Sequence, residues 1–333
     1  MGGDARRASQ WDLLGVLVSG AGVVPRFGWL GGQRRAAGHW GYLDAGWAAH
    51  SKASAGWVPE VLRLDLRGHG RSAAAHENDE GKEPWHQYTW PELAKDLRLA
   101  AADSVSRSFF GGEGSGACVA LLAALAANGT QSLDAPPGLV LMRPPQMLAD
   151  VAHCGKVQEE FLSELRSTAD LVKASGFEAL ERREAEHPEN PRFLDGSGAN
   201  FRSAAPGELQ KLRRTMSQEA FAAALLGHAE SEQAAKSLAE RLKEGFPQSA
   251  PTMAADAYGV PMTPGCPVLV LAVPGDPDSP VEAAQTLSQL LPDAELQVAD
   301  SLEHAYSTWG ASISSFLRKA WMKEFLTKRV MPQ

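Results

Sequence analysis

The stretch Gly112-Glu113-Gly114-Ser115-Gly116-Ala117-Cys118-Val119-Ala120-Leu121 decides how the chain is read. It follows the apolar pair Phe109-Phe110 and opens an alanine-rich run, so it joins a strand to a helix. Its glycines stand at alternate positions. Glycine is demanded where a strand and the next helix pass too closely for a side chain, or where the backbone turns left-handed. Gly112 and Gly116 bracket Gly114 symmetrically, which puts Gly114 at the tip of the turn. A shifted register puts Ser115 at the tip and leaves Glu113 and Ala117 as the flanking pair, with Glu113 too large for close packing. The plainest reading is a glycine-rich turn without chemistry, since short glycine motifs are weak signals.

Three further segments add to it. Val61-Leu62-Arg63-Leu64-Asp65-Leu66-Arg67-Gly68-His69-Gly70-Arg71-Ser72 reads as a buried strand followed by a glycine turn. Pro267-Val268-Leu269-Val270-Leu271-Ala272-Val273-Pro274-Gly275-Asp276 is an apolar strand delivering an acid at its end. Residues 294–299 read as a last strand, with His304 shortly after it. Strands are expected at about 13–18, 61–66, 107–111, 138–142, 267–272 and 294–298. A helix is expected over 91–106, with Leu93, Leu97 and Ala100 on one face and Pro91 in its first turn. A closing helix over 305–328 places Ile313, Phe316, Leu317 and Trp321 inward. The polar stretch 73–90 reads as a solvated loop. Alternation of this kind predicts an α/β fold with a doubly wound, mostly parallel sheet.

Together these segments resemble the α/β-hydrolase superfamily over about residues 12–145 and 262–320. The turn at Gly112 resembles its G-x-S-x-G nucleophile elbow, the segment at Asp65 its D-x-R-G-x-G-x-S run, and Asp276 its D-P-x-x-P acid. The chain order of elbow, acid and histidine is also that of the family. The resemblance implies Asp276 as the triad acid and His304 as the base, with Gly114 where the nucleophilic serine belongs. It further implies an oxyanion hole from the backbone of Gly20 or Ala21 and from Ser115, the residue after the nucleophile position. Two departures stand out. Ser19-Gly20-Ala21-Gly22 replaces the usual His-Gly, and Asp300-Ser301-Leu302-Glu303-His304 lacks the glycine that ordinarily precedes the histidine. A helix-start histidine behind an Asp300/Ser301 cap is the competing reading of His304.

Residues 147–260 break the alternation. Successive helices are expected at 157–174, 177–186, 207–216, 218–226 and 231–244, interrupted by Pro188, Pro191 and the turn Asp195-Gly196-Ser197-Gly198. The organisation read is a core in two parts, 1–146 and 261–333, with 147–260 inserted as a helical cap over the strand ends, where open α/β sheets bind ligands. Within the insertion, Leu225-Leu226-Gly227-His228-Ala229-Glu230-Ser231-Glu232, taken with Arg143-Pro144-Pro145, resembles an actinobacterial-like subgroup of α/β-hydrolases. His228 is read either as a polar contact in the pocket or as a surface histidine at a helix junction. Arg143, at a strand end, is read either as the holder of an anionic substrate group or as a salt bridge to the cap. Trp40, Trp47 and Trp57 either line the pocket mouth or pack in the core.

Composition agrees with a globular protein. With 333 residues and 44% hydrophobic content, the chain can bury a full core. A net charge of −8 without a basic block argues against nucleic acid. Three cysteines, Cys118, Cys154 and Cys266, give neither a disulfide framework nor a zinc site. No metal or cofactor is expected, and no run reaches the length of a membrane span. A cytoplasmic location is the default, with Arg6 and Arg7 leaving organellar import as the other reading. The expected partner is a small-molecule substrate or ligand, with a protein partner as the other possibility. Two functions follow. One is a hydrolase acting on a small ester or carbonyl substrate through an altered site, with Ser115 or a base-activated water replacing the missing serine. The other is a catalytically silent relative that binds a small apolar ligand or a protein.

Overall fold

The computed structural model describes residues 14–18, 60–64, 84–101, 108–127, 136–145, 151–186, 217–244, 265–276 and 279–330. Among the described residues, six strands form one parallel sheet: β1 (Leu14–Val18), β2 (Glu60–Leu64), β3 (Ser108–Glu113), β4 (Leu139–Met142), β5 (Val268–Ala272) and β6 (Ala294–Val298). Their spatial order is β2-β1-β3-β4-β5-β6. Among the described strands, β1 lies next to the edge strand β2, and β3 to β6 then follow in chain order to the other edge. The short apolar runs of β3, β4 and β5 are buried along their whole length, as strands covered on both faces must be.

Alternate residues of these strands feed two cores. Phe110, Leu139, Leu141, Val268 and Val270 point to one face, covered by α1 (Trp90–Ala100), α2 (Ser115–Ala127) and α5 (Val281–Leu290). Phe109, Val140, Met142, Leu269 and Leu271 point to the other, covered by α6 (Leu302–Val330). In α6, Ala305, Trp309, Ile313, Phe316, Leu317 and Ala320 recur at three- and four-residue spacing, which makes one inward stripe. The expected strands and the doubly wound class are thus found, with ends shifted by up to two residues. The helix expected over 91–106 ends at Ala100.

Two long helices lie in the chain between β4 and β5: α3 (Val151–Glu186) and α4 (Gln218–Glu244). Gly176, at φ 76° and ψ −178°, interrupts α3 and separates the two helices expected on either side of it. The pair has its own core, in which Leu165, Val172, Phe177, Leu180, Phe221 and Leu225 are buried. Phe177 and Phe221 meet edge-on at 5.3 Å. Arg166 and Glu230 pair across the two helices at 3.0 Å.

Two expectations need correcting. The stretch 84–90 is not a solvated loop: Pro84–Tyr88 forms a turn of 3-10 helix, and Tyr88 and Trp90 are buried. The break expected between 226 and 231 does not occur either, because α4 runs straight through Gly227 and His228. Glycine costs helix stability there, but a Cβ at Gly227 would stand 2.7 Å from the Trp85 carbonyl oxygen. The expected helix at 207–216 and the Asp65 segment after Leu64 lie outside the described residues, as do Trp40, Trp47 and Trp57.

Candidate functional site at the strand ends

Gly114 is the single residue between β3 and α2, and its φ is 58°. An L-residue pays roughly 1–2 kcal/mol in that region and glycine does not. The Gly114 N–H donates to the Met142 carbonyl at 3.0 Å, and its carbonyl accepts from the Ala117 N–H at 3.0 Å. The turn is therefore tied to the neighbouring strand and to the helix it starts. A Cβ on Gly112 would stand 2.1 Å from the Gly116 carbonyl oxygen. Strand and helix touch backbone to backbone at the two flanking positions, as the sequence spacing anticipates. Ser115 is the first residue of α2 and is buried.

Three charged side chains converge beside this turn, one from the C-terminal end of each of three adjacent strands. Glu113 ends β3, Arg143 follows β4, and Asp276 follows β5. All three are buried, at 1%, 3% and 2% exposure. Arg143 Nε donates to Asp276 Oδ2 at 2.8 Å, and Nη2 lies 2.6 Å from the same oxygen. Its Nη1 donates to Glu113 Oε1 at 2.8 Å. One guanidinium thus serves two carboxylates. Charges removed from water need such pairing, because the desolvation cost otherwise exceeds any gain from burial.

Arg143 itself is held in a left-handed conformation, φ 49°, which is uncommon for a non-glycine residue. Two contacts fix it there. Its N–H donates to the Leu271 carbonyl at 2.7 Å, and its carbonyl accepts from Ser279 Oγ at 2.7 Å. Strained backbone of this sort persists only where the surroundings determine it, and it gathers at functional sites.

His304 lies elsewhere in its contacts. Ser301 caps α6, its Oγ accepting from the His304 N–H at 3.1 Å. The imidazole Nδ1 stands 3.1 Å from Asp300 Oδ2 and 3.3 Å from the Asp300 N–H. A protonated Nδ1 donates to the carboxylate and an unprotonated one accepts from the amide, so in either state the ring's Nδ1 is taken by its own neighbour. The side chain is 44% exposed. His304 thus sits behind the Ser301 cap at the start of α6 with Nδ1 against Asp300, while Asp276 is bonded to Arg143.

His228 is not at the surface. It is 4% exposed and packs edge-on against Trp90 at 5.3 Å. Arg143, expected either to hold an anionic substrate group or to pair with the helical insertion, forms salt bridges to the strand-end acids Glu113 and Asp276. Glu113 entered the sequence reading only as a residue too large to flank the turn, not as a member of the site. Its only signal was an acid at the end of an otherwise apolar strand. Gly20 and Ala21 lie outside the described residues.

No protein-family model matches the sequence, and no curated protein matches it. Solved structures do. The chain is similar to MenH from S. aureus at 16% identity and a TM-score of 0.54, over 92% of this chain and 94% of that one. It is similar to a putative epoxide hydrolase from Pseudomonas aeruginosa at 16% identity and a TM-score of 0.55, over 93% and 90%. A thermophilic esterase from Thermogutta terrifontis matches at 19% identity and a TM-score of 0.51, over 92% and 90%. At such identities the likeness is one of fold: the chain has the α/β-hydrolase fold. Among the described residues, no helix is long and apolar enough to cross a membrane.

Proposed function

We propose that this chain is a catalytically silent protein of α/β-hydrolase fold, which binds a small, largely apolar ligand at the strand ends beneath a cap formed by residues 147–260. The observation that carries the reading is the identity of the turn residue. Gly114 occupies the one position between β3 and α2, with Gly112 and Gly116 in backbone contact around it. In serine-hydrolase chemistry that position supplies the attacking hydroxyl, and the base must lie within hydrogen-bond reach of it. Glycine supplies no nucleophile. Asp276, in the place of the orienting acid, is bonded to Arg143 instead. The similar folds of an esterase and an epoxide hydrolase support a small-molecule ligand and the strand ends as its place.

A fluorophosphonate probe tests this, because it labels only an activated hydroxyl. The wild-type protein is expected to remain unlabelled and to leave p-nitrophenyl butyrate unhydrolysed. Gly114→Ser is expected to remain unlabelled as well, since Asp276 is bonded to Arg143 and the Nδ1 of His304 stands against Asp300, so the two do not form the acid–base pair that would activate the new hydroxyl. Strong labelling of the wild type that disappears in Ser115→Ala would overturn the reading and make Ser115 a nucleophile. Binding is tested separately by thermal shift with a series of short-chain carboxylic esters, where saturable stabilisation without turnover is the expected result.

A further inference from the structure

Helix α6 follows β6 and runs back along it. Lys319 stands 3.9 Å from Glu295 in β6, and Lys323 pairs at 3.1 Å with Asp293, the residue before that strand. The helix therefore passes the start of β6 at Lys323, at the opposite end of the strands from Gly114 and the charged cluster. It does not stop there. It continues to Val330, about 10 Å further at the usual rise per residue.

The stripe that packs on the sheet ends where the sheet ends, with Ala320 as its last buried member. The next positions on that side are Lys323, Glu324 and Thr327, all polar. The apolar positions shift to the other side of the helix. Arg318, Met322, Phe325 and Arg329 recur at spacings of four, three and four, which is one line along α6 opposite the sheet-facing stripe. By the same spacing Trp321 and Leu326 stand on either flank of that line, with Lys319 and Lys328 beyond them. Arg318 and Lys319 are exposed, Met322 is 47% exposed, and Trp321 is half-buried against the sheet core. Residues 318–330 hold five basic residues and one acidic one, in a chain whose net charge is −8. An acidic molecule with a basic helix end is turned by a negative surface so that this end leads.

We propose that the end of α6 from Arg318 to Val330 docks on an anionic membrane surface, with Trp321, Met322, Phe325 and Leu326 as its apolar centre and the surrounding arginines and lysines on lipid phosphates. An apolar patch containing Trp and Phe and ringed by Lys and Arg is the composition of helices that lie in the membrane interface. Basic side chains there keep their stems on apolar surface while their heads reach phosphate. A helix lying in that plane needs no membrane-spanning length. A protein partner fits less well, because a patch of two helical turns falls short of the roughly 1,200 Å² that a stable protein interface buries. The docking end does not involve the strand ends that carry Gly114, so the inference stands apart from the ligand-binding reading.

Flotation of the full chain with vesicles tests it. The protein is expected to float with vesicles of equal parts phosphatidylcholine and phosphatidylglycerol, and to stay behind with phosphatidylcholine alone. Salt at about 1 M, which screens charges beyond roughly 3 Å, should release it. Arg318→Glu/Arg329→Glu and Met322→Ser/Phe325→Ser should each lower partitioning at least tenfold while remaining folded by circular dichroism. Lys95→Glu/Lys173→Glu, the same charge change at exposed lysines elsewhere, should bind like the unsubstituted chain. Hydrogen exchange of the unsubstituted protein gives a check that needs no variant: the mixed vesicles should protect the 318–330 peptide and leave β3, β4 and β5 unchanged. Failure to float with the mixed vesicles would overturn the proposal. So would equal loss of binding in the Lys95/Lys173 pair, which marks diffuse charge, or protection confined to another segment. A dimer in solution that Met322→Ser/Phe325→Ser converts to monomer would make the patch an interface between copies, and the proposal would fall.

Discussion

Replacing Arg143 with methionine isolates the energetics of the strand-end cluster. Methionine keeps much of the side chain's length and removes its charge. Glu113 and Asp276, each no more than 2% exposed, then lose the shared guanidinium. The wild-type hydrogen bonds from Nε and Nη1 are both 2.8 Å long, short enough to count as charge-assisted. Removing one partner of a buried ion pair ordinarily costs about 3–5 kcal/mol, most of it the burial of a charge left unpaired. Here two carboxylates share one cation, so the upper end of that range is expected. Urea unfolding followed by circular dichroism gives the measurement, read as a fall in midpoint at unchanged slope. The reasoning also makes a claim about the triple variant Glu113→Gln/Arg143→Met/Asp276→Asn. With all three charges gone, most of the lost stability should return, since neutral replacements of buried ion clusters are often tolerated. A loss below about 1 kcal/mol in Arg143→Met, the range of solvent-exposed pairs, would refute the claim that this cluster is buried and mutually dependent.

Other substitutions separate the turn from the histidine. Gly112→Ala should largely abolish soluble, folded protein, because its Cβ would stand 2.1 Å from a backbone oxygen that cannot yield. Gly114→Ala should fold with a loss of roughly 1–2 kcal/mol, the cost of a left-handed L-residue, and urea unfolding distinguishes it from Gly112→Ala. His304→Ala should change stability by no more than about 0.5 kcal/mol, as exposed positions outside special features do. Ser301→Ala should cost about 1 kcal/mol through loss of the α6 cap. A much larger effect of His304→Ala would mean the imidazole holds more than Asp300.

The sheet was legible because its information is local. Apolar runs such as Val268-Leu269-Val270-Leu271 can be satisfied only by burial on both faces, and the glycines at 112, 114 and 116 demand one particular turn. The α6 stripe followed from spacing alone. The helices of the insertion were legible in part: the break at Gly176 matched its expected place, whereas that at Gly227 did not. A glycine in a helix has two explanations, an end or a close neighbour, and only the neighbour's position chooses between them. The same holds for 84–90, whose polar surroundings hide a tyrosine and a tryptophan that belong to two different cores.

The site divides along the same line. That Gly114 stands at the turn, and that Arg143 and Asp276 stand at strand ends, was written in the order of residues; that Glu113 joins them was not. Which charge meets which was not. Arg143 is 30 residues from Glu113 and 133 from Asp276, and only the parallel register of β3, β4 and β5 brings them together. Sequence fixes what each strand carries at its end, because backbone geometry is set by neighbours along the chain. Pairing between strand ends is set by burial, since a charge removed from water must take whatever partner the fold delivers.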